Sequence, residues 1–574
     1  MKYRTPALLL GLLLILAACG GTGGDQTTTT GASTTTGGEP VTTTTAPSEA
    51  TGGTVRIGWG GAPTDLNPGL GELTEDYTLY ELVYDTPITL DLDGNYIPEI
   101  AEDWWVSEDE LTWTMKLVEG VTFHDGTPLT SEDVKFSLEL YRDSADFFVY
   151  MSSYFDGDEV IEAPDPTTVT IAKTVPTGSF EGRMVFMFVL PKHLWENEDP
   201  ATFENAAMIG SGSFRLTDYR QGEYVRLAAN EDYWGGAPIV DEVIFLTYEN
   251  ADARVQALIN GDVDMITEYP NTAIPTLEAN PTITVATGEP LAPDLTDIFF
   301  NVVDPENCPA DDGVCSGHPA LRDRAVRRAL AHAVDKQQLI DTLLLGLGTP
   351  GLAIVPTGLG EWFNDSLEDY PFDLDEANRL LDEAGYLDAD GNGVRECPAA
   401  MDCGNRRELR FRYNYPADSD VGPRLSQTLA GWWRQVGVEL QIQVLDSDTL
   451  TSVCCPGFDY DVIMWGWGSD PDPGFLLSVL TCAEVPTGTS ETGYCNPAYD
   501  ALFAAQQAET DLDTRLGMVH EMQRLLLEDV PYIIPFCALS SQAYRHDRFV
   551  GWRDDAERLA LEDPSSLNFV RPAG

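Results

Sequence analysis

From Thr54 onward, segments with helical apolar spacing alternate with short strand-like runs, and this alternation narrows the fold more than any other feature. Thr54–Trp59 carries Val55, Ile57 and Trp59 on one side, as a strand does, until Gly60-Gly61-Ala62-Pro63 breaks it. Residues 111–117 alternate again, and residues 160–163 and 169–171 flank the hairpin-like connection Pro164-Asp165-Pro166. Residues 250–260 predict a helix ended by Gly261, with a short buried strand at 263–266. Leu321, Ala325, Val326, Ala329, Leu330, Ala333 and Val334 predict a helical stripe beginning after His318-Pro319. Asp373 and Glu376 have the spacing of a capping box for a helix that Gly385 ends. A strand at 409–413, a helix through Leu425, Leu429, Trp432 and Val436, and strands at 440–444 and 461–464 follow. The pattern predicts an α/β architecture, and about 520 residues are too many for one core, so two or three lobes are expected.

The first residues set the compartment. Lys2 and Arg4 precede an apolar run over 7–18, too short to span a hydrocarbon core of roughly 30 Å, so it reads as a cleaved export signal. The run ends in Leu16-Ala17-Ala18-Cys19, which resembles the lipobox of bacterial lipoproteins and implies that Cys19 becomes the lipidated first residue. Residues 19–53 are rich in Thr and Gly with hardly an apolar side chain to bury, the composition of a disordered tether. The body is expected to sit outside the cytoplasm, lipid-anchored to the cell membrane.

A net charge of −61 argues against any nucleic-acid partner. Ten cysteines in an exported chain read as disulfides. Cys308–Cys315 and Cys397–Cys403 bracket short polar loops, and Cys482–Cys495 closes a longer one. With Cys19 set aside, Cys454, Cys455 and Cys537 remain. Adjacent cysteines rarely bond each other and either can reach Cys537, so that pairing stays open.

Few residues carry reactive chemistry. Six histidines, with neither His-Glu-x-x-His nor Gly-x-Ser-x-Gly, leave an enzyme without parts, and no cofactor or metal is expected. His124-Asp125-Gly126 reads as a turn rather than a catalytic pair. Asp388-Ala389-Asp390-Gly391-Asn392-Gly393 spaces oxygens as calcium loops do, but the twelfth position is Ala399 where a bidentate Glu is required, so a surface turn is favoured. Trp432 and Trp433 share helical spacing with core residues. Trp59, Trp465 and Trp467 instead end strands just before Gly- or Pro-rich loops, where open α/β sheets present residues to a crevice. Asn414 and Tyr415 end another strand, and these five are candidate cleft residues.

Four sets of segments resemble one family, the solute-binding proteins of ABC importers for oligopeptides, dipeptides and nickel. The first comprises residues 97–102, 111–117 and 121–134, including Phe123-His124-Asp125-Gly126-Thr127-Pro128. The second comprises Gly210-Ser211-Gly212-Ser213-Phe214, residues 230–238 and Ala257-Leu258-Ile259-Asn260-Gly261-Asp262. The third is residues 325–335, and the fourth joins Gly466-Trp467-Gly468-Ser469-Asp470-Pro471-Asp472-Pro473 to Cys495-Asn496-Pro497-Ala498-Tyr499-Asp500. The resemblance implies a type II periplasmic-binding-protein-like clamshell with two hinge strands. Lobe one would be residues 54–290, with an extra subdomain at about 89–205, and lobe two residues 291–534. Residues 535–574 would return to lobe one, the crossings falling near 291–301 and 531–538. It also implies capture of an oligopeptide-like solute, delivery to a membrane permease, a monomeric state and no catalysis. Asp470, three residues after Trp467, occupies the position that holds a peptide's α-amino group in peptide-binding members, although the loop to Asp472-Pro473 is a residue shorter than the common pattern. An oligosaccharide receptor of the same fold, or an exported hydrolase, are the alternatives.

Overall fold

The computed structural model describes residues 51–71, 73–144, 155, 157–290, 292–310, 313–417, 419–487, 489–554 and 558–574. The export signal, Cys19 and nearly all of the tether lie outside them. Thr54–Trp59 buries Val55 and Ile57 completely and pairs in parallel with Glu242–Thr247 on one side and Met265–Ile266 on the other. The helix Ala251–Asn260 bridges those two partners. Asn250 caps it by accepting from the Ala253 N–H, and Gly261 ends it at φ +80°, a left-handed conformation that costs glycine nothing.

Eight strands make the first sheet, in the order Arg558–Leu559, Ile283–Pro290, Ser540–Arg545, Met265–Ile266, Thr54–Trp59, Glu242–Thr247, Tyr224–Ala229, Phe214–Arg220. A separate antiparallel sheet, Ala101–Val106, Thr112–Leu117, Thr168–Ala172 and Val160–Asp165, packs with the helix Ser131–Asp143. Leu117 and Val134 of this layer share one core with Phe214 and Phe245 of the large sheet.

The second lobe is built on six strands, in the order Gly348–Thr349, Tyr532–Ala538, Asp294–Phe300, Val462–Gly468, Arg410–Pro416, Glu439–Leu445. Helices cover both faces, so its central strands read as continuous apolar runs whose alternate residues enter different cores. Ile298, Met464 and Tyr413 face Leu330 and Trp433, whereas Leu295, Phe299, Ile463, Trp465 and Trp467 face Leu476 and Leu526. Trp432 and Trp433 lie in the first of these cores, 9% and 0% exposed.

Four expectations change in detail. The stripe after His318-Pro319 is broken: a 3₁₀ turn, Pro319–Arg322, precedes the helix Arg324–His332, because Asp323 caps that helix through the Ala325 N–H. Asp373 caps its helix, but Glu376 turns away to pair with Arg379, so the capping box is half formed. The return to lobe one occurs at Leu539 rather than near Pro535, since Tyr532–Ala538 lies wholly in the second sheet. Pro535 suggests a strand end, yet the register shifts opposite it, and a bulge is where a strand accommodates proline. Finally, the adjacent Cys454 and Cys455 sulfurs are brought side by side, and Cys537 is buried. The bonds Cys308–Cys315, Cys397–Cys403 and Cys482–Cys495 are present.

Candidate functional site

The chain passes between the sheets twice, from Pro290 to Asp294 and through Leu539. Asp294 pairs with Gly468, so the end of the Val462–Gly468 strand lies at the first crossing. Ser469 fixes the loop that follows: its N–H and its hydroxyl both donate to the Pro293 carbonyl, at 2.9 and 2.5 Å. Asp470, half-buried, therefore projects from a backbone anchored at the hinge.

Two residues further on, Asp472 receives both arms of Arg515, one at 2.8 Å. Arg515 is 2% exposed; its Nε donates to the Gln506 side chain at 3.0 Å, and its guanidinium lies 4.7 Å over the Trp362 ring. The same side chain reaches across the cleft, donating to the Gly178 carbonyl of lobe one at 2.9 Å. Gly178 N–H in turn donates to the Gln507 carbonyl at 3.0 Å. A Cβ at Gly182 would sit 2.6 Å from the Asp472 Cβ, so only glycine permits this approach of the short helix Phe180–Met184. Arg558 to Gly358 and Asn271 to Leu344 add cross-lobe hydrogen bonds at 3.1 Å each. Among the described residues, these hydrogen bonds join the lobes around the cleft.

The sequence candidates divide by sheet face. Trp465 and Asn414 lie on the face of the second sheet opposite the one carrying Met464 and Tyr413, and Trp467 continues their row toward Asp470. Tyr415 falls on the other face, packed against Gly422 in the other core, so the structure does not bring it together with Asn414. Trp59 belongs to lobe one, its ring 4.4 Å from Phe245 and its Nε1 buried without a hydrogen-bond partner among the described residues. His124 is held by backbone: one ring nitrogen meets the Gly212 carbonyl at 3.0 Å and the other accepts from Gly210 N–H. Burial lowers its pKa to about 4. Asp125 pairs instead with His193 at 2.8 Å. In the Asp388 loop the carboxylate accepts from the Gly391, Asn392 and Gly393 N–H groups, the bonds of a turn.

Sequence reasoning missed three charged residues. Arg515 sits in an acidic helix with no motif around it. Asp297 is hidden inside the apolar run Leu295-Thr296-Asp297-Ile298-Phe299-Phe300, where an acid in a strand buried on both faces was the available signal. Glu491, in a Gly- and Thr-rich loop, accepts from Trp467 Nε1 at 2.7 Å and from the Tyr532 hydroxyl at 2.9 Å. Burial pushes its pKa up to about 7 against those two hydrogen bonds, and burial with Glu491 nearby pushes Asp297 well above the carboxylate range.

Known proteins share this two-lobed fold. The family described as bacterial extracellular solute-binding proteins, family 5, matches residues 95–485. Protein XP55 of Streptomyces lividans is 30% identical over 485 residues, covering 83% of this chain and 82% of that protein. The oligopeptide-binding protein AppA of Bacillus subtilis is 24% identical over 497 residues, 84% of this chain and 85% of its own length. Among solved structures, the ABC transporter substrate-binding protein CtaP of Listeria monocytogenes superposes with a TM-score of 0.77 at 24% identity, covering 91% of this chain and all of that one. AppA of B. subtilis in complex with a nonapeptide gives 0.70 at 21%, covering 92% of this chain and all of that one. The two-lobed α/β fold is shared with both.

Proposed function

The chain belongs to the bacterial extracellular solute-binding proteins of family 5, and on that premise we propose that it captures a peptide for an ABC importer. It is the substrate-binding subunit, acting outside the cytoplasm and handing its solute to a membrane permease. One observation carries the peptide reading: Asp470 follows the Trp467 strand end at the hinge, two residues from the loop atom that touches lobe one. A carboxylate in that place receives a ligand ammonium through charge-assisted hydrogen bonds and is shielded from water as the lobes meet. Names of relatives support the same solute class, among them AppA and the dipeptide-binding protein of Escherichia coli.

In this reading residues 54–290 and 539–574 act as lobe one, with residues 89–205 as an added subdomain, and residues 291–538 as lobe two. Trp59 serves the lobe-one wall, while Asn414, Trp465 and Trp467 serve the lobe-two wall. Cys19 carries the lipid, the tether holds a monomeric body off the membrane, and the solute leaves unaltered. Titration calorimetry with short peptides tests this directly. Saturable binding with no cleavage supports it; binding of oligosaccharides and of no peptide overturns it.

A further inference from the structure

Among the described residues, two carboxyl groups inside the second lobe, those of Asp297 and Glu491, have no Lys or Arg ion pair. Asp297, 0% exposed, sits opposite Trp465 in the sheet register. Its Oδ1 accepts from Trp465 N–H at 3.2 Å, and its Oδ2 has no hydrogen-bond partner among the described residues. Glu491, 3% exposed, bonds Trp467 and Tyr532, which stand opposite Leu295 and Phe299, so its carboxylate lies over the same stretch of strand that centres on Asp297. On the same face, Asn414 and Trp465 belong to neighbouring strands and are 3% and 4% exposed. Among the described residues, neither Asn414 Oδ1 nor Trp465 Nε1 has a hydrogen-bond partner. Among the described residues no Lys or Arg forms an ion pair with Asp297 or Glu491; Arg406 and Arg412 are committed to Asp459 and Asp461.

Buried polar atoms are normally paired, and a buried carboxyl with no cation beside it is driven toward its protonated form, so a group that completes this set is called for. Its chemistry follows from what is open. Asp297 Oδ2 and Asn414 Oδ1 accept hydrogen bonds, and the Trp465 indole offers a π-face to a cation. The Asp297–Trp465 pair lies two residues, about 7 Å, below Leu295–Trp467 at the cleft end of the strands. That depth suits the four-carbon stem of a lysine, or an arginine of similar reach, whose backbone stays at the rim beside Asp470.

We propose that Asp297, Glu491, Asn414 and Trp465 form a subsite for the cationic side chain of the bound peptide, so that the protein selects basic peptides. The inference rests on the peptide reading above. Ala-Lys-Ala, Ala-norleucine-Ala, which keeps the stem and lacks the ammonium, and Ala-Glu-Ala are titrated by calorimetry into wild type, Asp297→Asn and Glu491→Gln. Wild type favours the lysine peptide over norleucine by about tenfold or more, the least that one charge-assisted hydrogen bond supplies, and rejects glutamate. Asp297→Asn brings the lysine-to-norleucine ratio close to one. A single cooperative thermal transition in both variants shows that they fold, since each replaces a carboxyl by an amide of the same shape. Equal affinity of wild type for lysine and norleucine peptides, or a preference that survives in Asp297→Asn, overturns the subsite. If none of the three peptides binds, the peptide reading fails by itself, and cadaverine then probes the subsite alone. Its uptake by wild type but not by Asp297→Asn supports the subsite, and no uptake overturns it.

Discussion

Replacing Arg515 by Met keeps the length of the side chain and removes its charge, and the consequences separate into two measurable parts. Within lobe two, the change strands Asp472, whose side chain is only 10% exposed. Breaking one partner from a buried pair costs about 3–5 kcal/mol, because the remaining charge is left uncompensated. Between the lobes, the change deletes the hydrogen bond to the Gly178 carbonyl, a bond from a charged donor contributing about 1.5–3 kcal/mol. If that bond forms on closure, peptide affinity falls by about tenfold to a hundredfold. A second substitution distinguishes the parts. Adding Asp472→Asn to Arg515→Met removes the stranded charge and recovers most of the stability, but the Gly178 contact stays lost, so affinity does not recover. Urea unfolding reads the first quantity and calorimetry with a bound peptide reads the second. Stability of Arg515→Met within about 1 kcal/mol of wild type, below what any buried ion-pair break allows, refutes the first part. Affinity that returns together with stability in the double variant refutes the second.

Four other outcomes are expected. Asp470→Asn weakens peptide binding by roughly 2–4 kcal/mol, and N-acetylating the peptide adds little further loss, because both changes remove one interaction; simple addition of the two losses in calorimetry rejects the amine site. Cys19→Ala leaves the protein out of the membrane fraction, and unchanged retention on fractionation rejects the anchor. Glu491 has its pKa raised to about 7 in the fold, so the folded state holds the proton more tightly than the unfolded chain. Stability from this group is full below about pH 4.5, declines as pH rises toward 7 and is lost above it, so the urea midpoint drops over that window and drops less in Glu491→Gln. Small-angle scattering with saturating peptide gives a smaller radius of gyration than without it, unless the lobes do not move.

The alternation of apolar positions made the α/β class legible, along with Thr54–Trp59, the helix ending at Gly261 and the row from Trp465 to Asp470. Local patterns failed where a distant partner decided the outcome. Pro535 marks a strand end by its own chemistry, and only the bulge opposite Asp297 lets the strand run on to Ala538. Glu376 has capping-box spacing, but Arg379 one turn later competes for it and wins. Tyr415 and Asn414 are neighbours in sequence and therefore point to opposite faces, which a strand's period of two dictates once the strand is extended to Pro416. Arg515 and Glu491 become meaningful only beside Asp472 and Trp467, and nothing in their own segments announces those partners.

The strand Ser540–Arg545 lies between Ile283–Pro290 and Met265–Ile266, in the interior of the first sheet, although in the sequence it follows every strand of the second sheet. A polypeptide threaded outward from its N-terminus thus presents some 230 residues of lobe one with a gap where a central strand belongs, and two open edges flank that gap. Residues 294–538 supply every strand of the second sheet, so that lobe has its full complement before the gap is filled. The receiving half of the molecule must wait for its closing strand while the inserted half is already assembled. A nascent or truncated chain ending near Ala538 is therefore the vulnerable species, exposed to proteases and to edge-to-edge association.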